Sequence, residues 1–130
     1  MQKERIGKMI KRVLVVDDDV MNLKMAEVIL KQGGYMVHTV ESGIDCLNFI
    51  RHNRPDLILL DIEMPIMNGI KTLEKIKGNE DYADIPVILL TAVADSDTVL
   101  EVGKLGAVDY VKKPFMPQEL LKRVDSAVLS

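Results

Sequence analysis

Asp61 ends an uninterrupted apolar run, Leu57 to Leu60, and Glu63, Met64-Pro65 and Asn68-Gly69 follow at once in "DLILLDIEMPIMNG". A buried strand has no use for a terminal carboxylate; a site does. Three other apolar runs also stop on polar residues: "RVLVVD" leads into Asp17-Asp18-Asp19, "PVILLT" into Thr91-Ala92, and "AVDYVKK" into Lys112-Lys113-Pro114. Carboxylates a few ångströms apart repel one another and raise each other's pKa. A hard divalent cation removes that repulsion, and Mg²⁺ takes one or two carboxylates, several waters and a phosphate oxygen. With Lys113 as an ammonium and Thr91 as a hydroxyl donor, the set suits a phosphoryl group in transfer. Asp61 is then the nucleophile and carries an acyl phosphate.

Taken singly, each residue has a blander reading. Three aspartates after a strand can cap the next helix and complement its dipole. A lone threonine there is a strand residue or a cap, and a lone lysine is ordinarily solvated. The joint pattern is what carries weight. It requires that all four strand ends meet at one edge of one sheet.

The periodicity supplies that sheet. Short β-branched runs at 12–17, 36–40, 56–61, 86–91 and 107–113 alternate with stretches at helical spacing. Val20 to Lys31 is the first such stretch, stopped at Gly33-Gly34. Ile44, Leu47 and Ile50 mark a second, opened by Ser42 as a cap and closed before Pro55. Ile70, Leu73 and Ile76 mark a third, and Val99, Val102 and Leu105 a fourth that ends near Gly106. Leu120, Leu121, Val124, Ala127 and Val128 mark the fifth. The runs at 13–16, 57–60 and 87–90 are continuously apolar, as a sheet covered on both faces demands. The chain therefore reads as (βα)5 with a parallel sheet and right-handed crossovers. In such a sheet ligands bind beyond the carboxyl ends of the strands. The second strand, ending at Val40-Glu41-Ser42, is placed at the edge.

Composition narrows the function. The 130 residues suit one domain, 28% of them are charged, and the net charge of −3 shows no basic block. That argues against direct nucleic-acid binding by this domain. One cysteine, Cys46, excludes an internal disulfide and reads as a small buried hydrophobe. No run approaches the roughly 20 apolar residues of a membrane helix, and the charged start "MQKERIGKMIKR" lacks a signal-peptide core. A cytoplasmic domain off the membrane is expected, with residues 1–10 as a frayed or helical extension before the domain at 11–130. His38, in the second strand run, and His52, in a charged loop, have no second ligand at metal spacing and read as structural or solvated. The methionines read as core filler, and Phe115 and Met116 as core rather than partner surface.

Over about residues 11–129 the sequence resembles the receiver domain of two-component response regulators, on "VLVVDDD" with Asn22, "DLILLDIEMPIMNG", "PVILLTA" and "GAVDYVKKPF". The resemblance implies a flavodoxin-like three-layer sandwich with a five-stranded parallel sheet of order 2-1-3-4-5, an order that periodicity alone does not give. It implies that Asp61 is the phosphoacceptor. Asp18 binds Mg²⁺ (or Mn²⁺) directly, Asp17 acts through water, and Glu63 contributes its backbone carbonyl. Asp19 then lies outside the pair. Thr91 matches a switch hydroxyl, Ala92 an N–H donor to the phosphoryl group, Lys113 the phosphate-binding lysine, and Tyr110 the aromatic switch. Lys113-Pro114 matches a cis peptide. Asn68 replaces the aspartate commonly seen before Gly69, and Lys71 stands where acidic or apolar residues are frequent. Glu63 and Val93 fall at variable positions that tune acyl-phosphate hydrolysis; the direction of the Glu63 effect stays open.

The implied partners are a sensor histidine kinase or a histidine phosphotransfer protein. Downstream of them stands an effector or output domain that the sequence does not identify, and a phosphorylation-dependent homodimer stays open. The implied switching surface is built from the fourth helix, fifth strand and fifth helix. The domain would catalyse only its own phosphorylation and dephosphorylation. Other readings are a Mg²⁺-dependent phosphatase of similar fold, supported only by Glu63 two residues after Asp61, and a receiver-like module that binds without phosphorylation. A flavin carrier ranks below both, because "DDDVMN" would repel a flavin phosphate.

Overall fold

The computed structural model of the chain describes residues 10–93 and 95–129, so nearly all of the expected N-terminal extension lies outside the described residues. Ten elements alternate. β1 (Arg12–Val16), α1 (Val20–Gln32), β2 (Met36–Val40), α2 (Gly43–His52) and β3 (Leu57–Asp61) make the first half. α3 (Gly69–Lys77), β4 (Val87–Thr91), α4 (Ser96–Lys104), β5 (Asp109–Lys112) and α5 (Pro117–Leu129) make the second. The strands lie in the order β2-β1-β3-β4-β5, every neighbouring pair parallel. The expected three-layer fold is the observed one.

The continuous apolar runs are explained by what covers them. Val13, Val15, Leu57, Leu59, Ile88 and Leu90 face one core, with Leu23, Ala26 and Leu30 of α1 and Leu120 and Val124 of α5. Leu14, Val16, Ile58, Leu60, Val87 and Leu89 face the other, with Cys46 and Ile50 of α2, Leu73 and Ile76 of α3 and Val102 of α4. Successive strand residues point to opposite faces, so a strand covered on both sides has no position for a polar residue until it ends. At about 1.5–3 kcal/mol per buried large aliphatic side chain, these two cores supply the main drive for folding. β2, at the edge, is only half covered, and His38 there lies against Phe49 with ring centroids 5.2 Å apart.

Helix starts are fixed by local side chains. Asp19, Ser42, Asn68 and Asp95 each stand in extended backbone one residue before a helix. Each accepts from a first-turn N–H, at 2.9, 3.0, 2.9 and 2.8 Å respectively. A cap of this kind contributes about 1 kcal/mol. Gly34, at φ 93, reverses the chain after α1, a conformation that a Cβ disfavours.

Three expectations are corrected. His52 ends α2 instead of lying in a loop, because the helix runs to the residue before Asn53. Among the described residues the methionines are mostly not core: Met21, Met25, Met36 and Met116 are exposed and Met64 is buried. Period alone cannot separate a methionine on a helix's outer face from one on its inner edge. Of the pair after Pro114, Phe115 joins the core but Met116 is 67% exposed, one residue ahead of α5.

Candidate functional site

The backbone ladder brings the predicted residues to one edge. Asp17 follows β1, and its N–H still donates to Val40 O at 3.2 Å. Asp61 is the last residue of β3, next to β1 in the sheet. Thr91 ends β4, and Lys113 donates its N–H to Thr91 O at 2.7 Å. The strand order turns back between β1 and β3, and there the two acidic ends face each other.

Asp17 and Asp61 are 0% and 1% exposed. The Lys113 ammonium sits between them, 3.0 Å from Asp17 Oδ2 and 2.9 Å from Asp61 Oδ1. Local turns aim both carboxylates. Asp17 Oδ1 accepts from the Asp19 N–H at 2.9 Å, and Asp61 Oδ1 from the Glu63 N–H at 3.2 Å. Both are the i to i+2 bond that aspartate makes readily after a strand. Burial pushes the Asp61 carboxyl from the ordinary 3.8 to about 7; the bond to Lys113 opposes this and the Asp17 charge adds to it. Burial works against the Lys113 ammonium, but its bonds to Asp61 and Asp17 outweigh that and raise its pKa.

Asp18, which is exposed, completes the acidic group. One carboxylate oxygen from each of Asp17, Asp18 and Asp61 lies within 4.8 Å of the others. Asp17 Oδ2 is fully buried and accepts no aligned hydrogen bond, even with Lys113 nearby. Such a buried oxygen depends on a neighbouring cation, which Lys113 supplies at 3.0 Å and a metal ion would supply more fully. Two buried carboxylates, one exposed one and no sulfur or nitrogen donor among the three fit a hard, partly hydrated ion of the Mg²⁺ or Mn²⁺ kind. Asp19 stands apart, its side chain spent on the α1 cap. The helix-capping reading of the aspartates therefore holds for one of the three.

The hydroxyl side of the site holds a contact that the sequence did not reveal. Glu63 lies over the end of β4, with Oε2 3.0 Å from Thr91 Oγ1 and Oε1 accepting from the Ala92 N–H at 3.3 Å. Thr91 Oγ1 also accepts from the Val93 N–H at 3.0 Å and lies 2.7 Å from Val93 O. The resemblance implied a role for Glu63 through its backbone carbonyl; nothing in it gives the reach of the side chain. Tyr110, on β5, is half-buried against the core on the α2–α4 side. The Lys113–Pro114 peptide is cis.

The loop after Asp61 is tighter than a simple turn. Met64 N–H donates to Ile62 O at 3.1 Å and Met67 N–H to Pro65 O at 2.8 Å, two successive three-residue turns. The second centres on Ile66, at φ 68 and 98% exposed, an unusual conformation for a β-branched residue. Asn68 then caps α3 and Gly69 opens it. Gly69 is needed for space: a Cβ there would stand 2.1 Å from Asp61 O and 2.7 Å from Ile62 Cα. Its N–H also donates to Ile62 O at 2.8 Å. Gly69→Ala must push α3 away from the strand end that carries Asp61. A loss of about 2–3 kcal/mol is expected, read as a lower denaturant midpoint at unchanged slope. A wild-type midpoint would mean that α3 can shift freely.

Comparison with known proteins gives the family. The model of the response regulator receiver domain matches residues 13–125. The DNA-binding response regulator MtrA of Mycobacterium tuberculosis (strain ATCC 25618 / H37Rv) is 38% identical over 113 residues, 87% of this chain and 48% of its own. The phosphate regulon transcriptional regulatory protein PhoB of Pseudomonas aeruginosa is 36% identical over 118 residues, 91% of this chain and 52% of its own. The chain thus spans about half the length of these curated relatives. Among solved structures, the chemotaxis protein CheY4 of Vibrio cholerae superposes with a TM-score of 0.87 at 29% identity, covering 92% of this chain and 99% of that one. A BeF3-activated DrrB receiver domain does so at 0.83 and 36% identity, covering 94% and 100%. Motifs, fold and matched span agree: the chain belongs to the response regulator receiver domain family of two-component signalling.

Proposed function

We propose that Asp61 accepts a phosphoryl group from a phosphohistidine on a sensor histidine kinase or a histidine phosphotransfer protein. An Asp61 carboxylate oxygen attacks phosphorus, the P–N bond breaks, and the imidazole nitrogen leaves with the bonding pair. Asp17, Asp18 and Asp61, with the Glu63 backbone carbonyl, would hold Mg²⁺. Bound there, the ion would offset the charge gathering between carboxylate and phosphoryl oxygens. Lys113 keeps its ammonium beside Asp61 and can turn to an equatorial phosphoryl oxygen. The Thr91 hydroxyl and Ala92 N–H donate to the others, which stabilises charge as it develops.

The observation that carries this reading is Asp61 itself: a carboxylate 1% exposed at a strand end, in contact with an ammonium 2.9 Å away and two further acidic groups. Recruitment of Thr91 toward the phosphoryl group, with Tyr110 following, would shift the population of the surface built by α4, β5 and α5. That surface is where an output domain or effector, or a second copy of the domain, would read the state. DNA binding, the property in MtrA's name, would on this reading belong to a segment other than the receiver.

Intact-mass analysis after incubation with Mg²⁺ and acetyl phosphate tests the proposal. Wild type should gain one phosphoryl group and Asp61→Asn none. Equal labelling of the two, or labelling of neither, overturns it.

A further inference from the structure

We infer that the Glu63 carboxylate is an internal competitor of the phosphoryl group, holding the donors of the unphosphorylated site until the phosphoryl group displaces it. The inference rests on the phosphoacceptor reading above and adds a residue to it. A carboxylate and a phosphoryl group share the relevant chemistry: both are anions with paired oxygens that accept from N–H and O–H donors. Glu63 presents one oxygen to each of two donors, Oε2 to Thr91 Oγ1 at 3.0 Å and Oε1 to the Ala92 N–H at 3.3 Å. These are the two groups that the reading gives to the phosphoryl oxygens.

The local chain makes the contact. The three-residue turn from Ile62 to Met64 sets Glu63 at its centre, two residues after Asp61, with its own N–H bonded to Asp61 Oδ1 at 3.2 Å. On the facing strand end the Thr91 hydroxyl accepts from the Val93 N–H, and its one proton is divided between Val93 O at 2.7 Å and Glu63 Oε2 at 3.0 Å, so Glu63 holds this donor only in part. Glu63 is itself exposed, so it can swing into water once a phosphoryl group takes its donors. Its replacement costs no solvation, and the competition is modest rather than absolute. The consequence is a domain that discriminates. A donor that positions its phosphoryl group well displaces Glu63, whereas a small anion from solution meets donors already engaged.

Beryllofluoride, titrated in the presence of Mg²⁺, probes the competition. Glu63→Ala should bind it about tenfold tighter than wild type, the value of one or two exposed charge-assisted hydrogen bonds no longer broken. Labelling by acetyl phosphate should accelerate in the same direction. Glu63→Gln, which keeps the shape but only one acceptor oxygen, should fall between. Through-space repulsion by Glu63 would also weaken anion binding, and a double-mutant cycle separates the two. If Glu63 competes for the hydroxyl, Thr91→Ala costs more beryllofluoride affinity in the Glu63→Ala background than in wild type. If Glu63 only repels, the two substitutions add.

The Ala92 amide gives a readout without metal or phosphate. Its resonance should move in Glu63→Ala and change its protection from exchange. Additive substitutions, an unmoved Ala92 amide, or an affinity equal to wild type overturns the inference while Asp61 is still labelled. If no variant binds beryllofluoride and none is labelled, the phosphoacceptor reading and the inference fall together.

Discussion

Lys113→Met is expected to destabilise the metal-free domain by about 3 kcal/mol at pH 8, and far less at pH 5. The substitution keeps the length of the apolar stem and removes the charge. It leaves two carboxylates, 0% and 1% exposed, facing each other without the ammonium that now stands 3.0 and 2.9 Å from them. Removing one member of a buried ion pair strands the other, which is why the loss exceeds that of an exposed salt bridge. Exposed pairs elsewhere, Lys31–Glu27 for example, offer the contrast: their removal should move stability by a few tenths of a kcal/mol.

The pH dependence of this variant follows from the carboxylates. Burial and mutual repulsion raise the pKa of Asp61 in the folded state, and loss of Lys113 removes the one interaction that lowers it. A carboxylate raised on folding favours the folded state fully below its unfolded pKa, and that contribution disappears as pH rises through the folded value. The deficit of Lys113→Met therefore grows from pH 5 to pH 8. Mg²⁺ should recover much of it, and stabilise the variant more than wild type, because no ammonium shares the site. Urea unfolding at both pH values, with and without Mg²⁺, measures all four quantities. A variant as stable as wild type at pH 8 would show that water, not Lys113, solvates the aspartates.

The same physics decides how much of this protein its sequence disclosed. The runs ending at Val16, Leu60 and Leu90 were legible because a strand covered on both faces admits nothing polar, which made Asp17, Asp61 and Thr91 conspicuous as exceptions. Ser42 was legible because capping is local. The strand order was not, since apolar periodicity says which faces are buried and not which strand lies beside which. It entered through four separated motifs. Glu63 and Gly69 mark the other limit. Whether a side chain reaches a neighbouring strand end, or a helix start passes within 2.1 Å of a carbonyl at a Cβ position, depends on packing across the sheet edge. The exposed methionines were misread for a related reason: hydrophobic character is a one-way guide to burial, and Met21 and Met116 stand in the open.

Asp61→Asn should abolish phosphoryl labelling and yet make the metal-free domain more stable near pH 8, by about 2 kcal/mol. Asparagine keeps an oxygen for the Lys113 ammonium and for the Glu63 N–H, and it has no charge to desolvate. In wild type the Asp61 pKa rises from 3.8 unfolded to about 7 folded, chiefly through burial. The folded state thus holds the proton in a window, about pH 4 to 7, where the unfolded chain has released it. Wild-type stability falls across that window as pH rises, and Asp61→Asn loses this slope. The two proteins converge below pH 4, where Asp61 is neutral in both states. Mg²⁺ should reverse the order at pH 8, because wild type gains a ligand for the ion that the variant lacks, and its binding should weaken as Asp61 takes up a proton below pH 7. Thermal or urea unfolding of the pair from pH 4 to 8, with and without Mg²⁺, provides the check. If Asp61→Asn is less stable than wild type at pH 8 without the ion, burial is not the dominant influence on Asp61. The Lys113 pair would then stabilise the site in its metal-free state, and phosphorylation would have to break a favourable contact instead of relieving an unfavourable one.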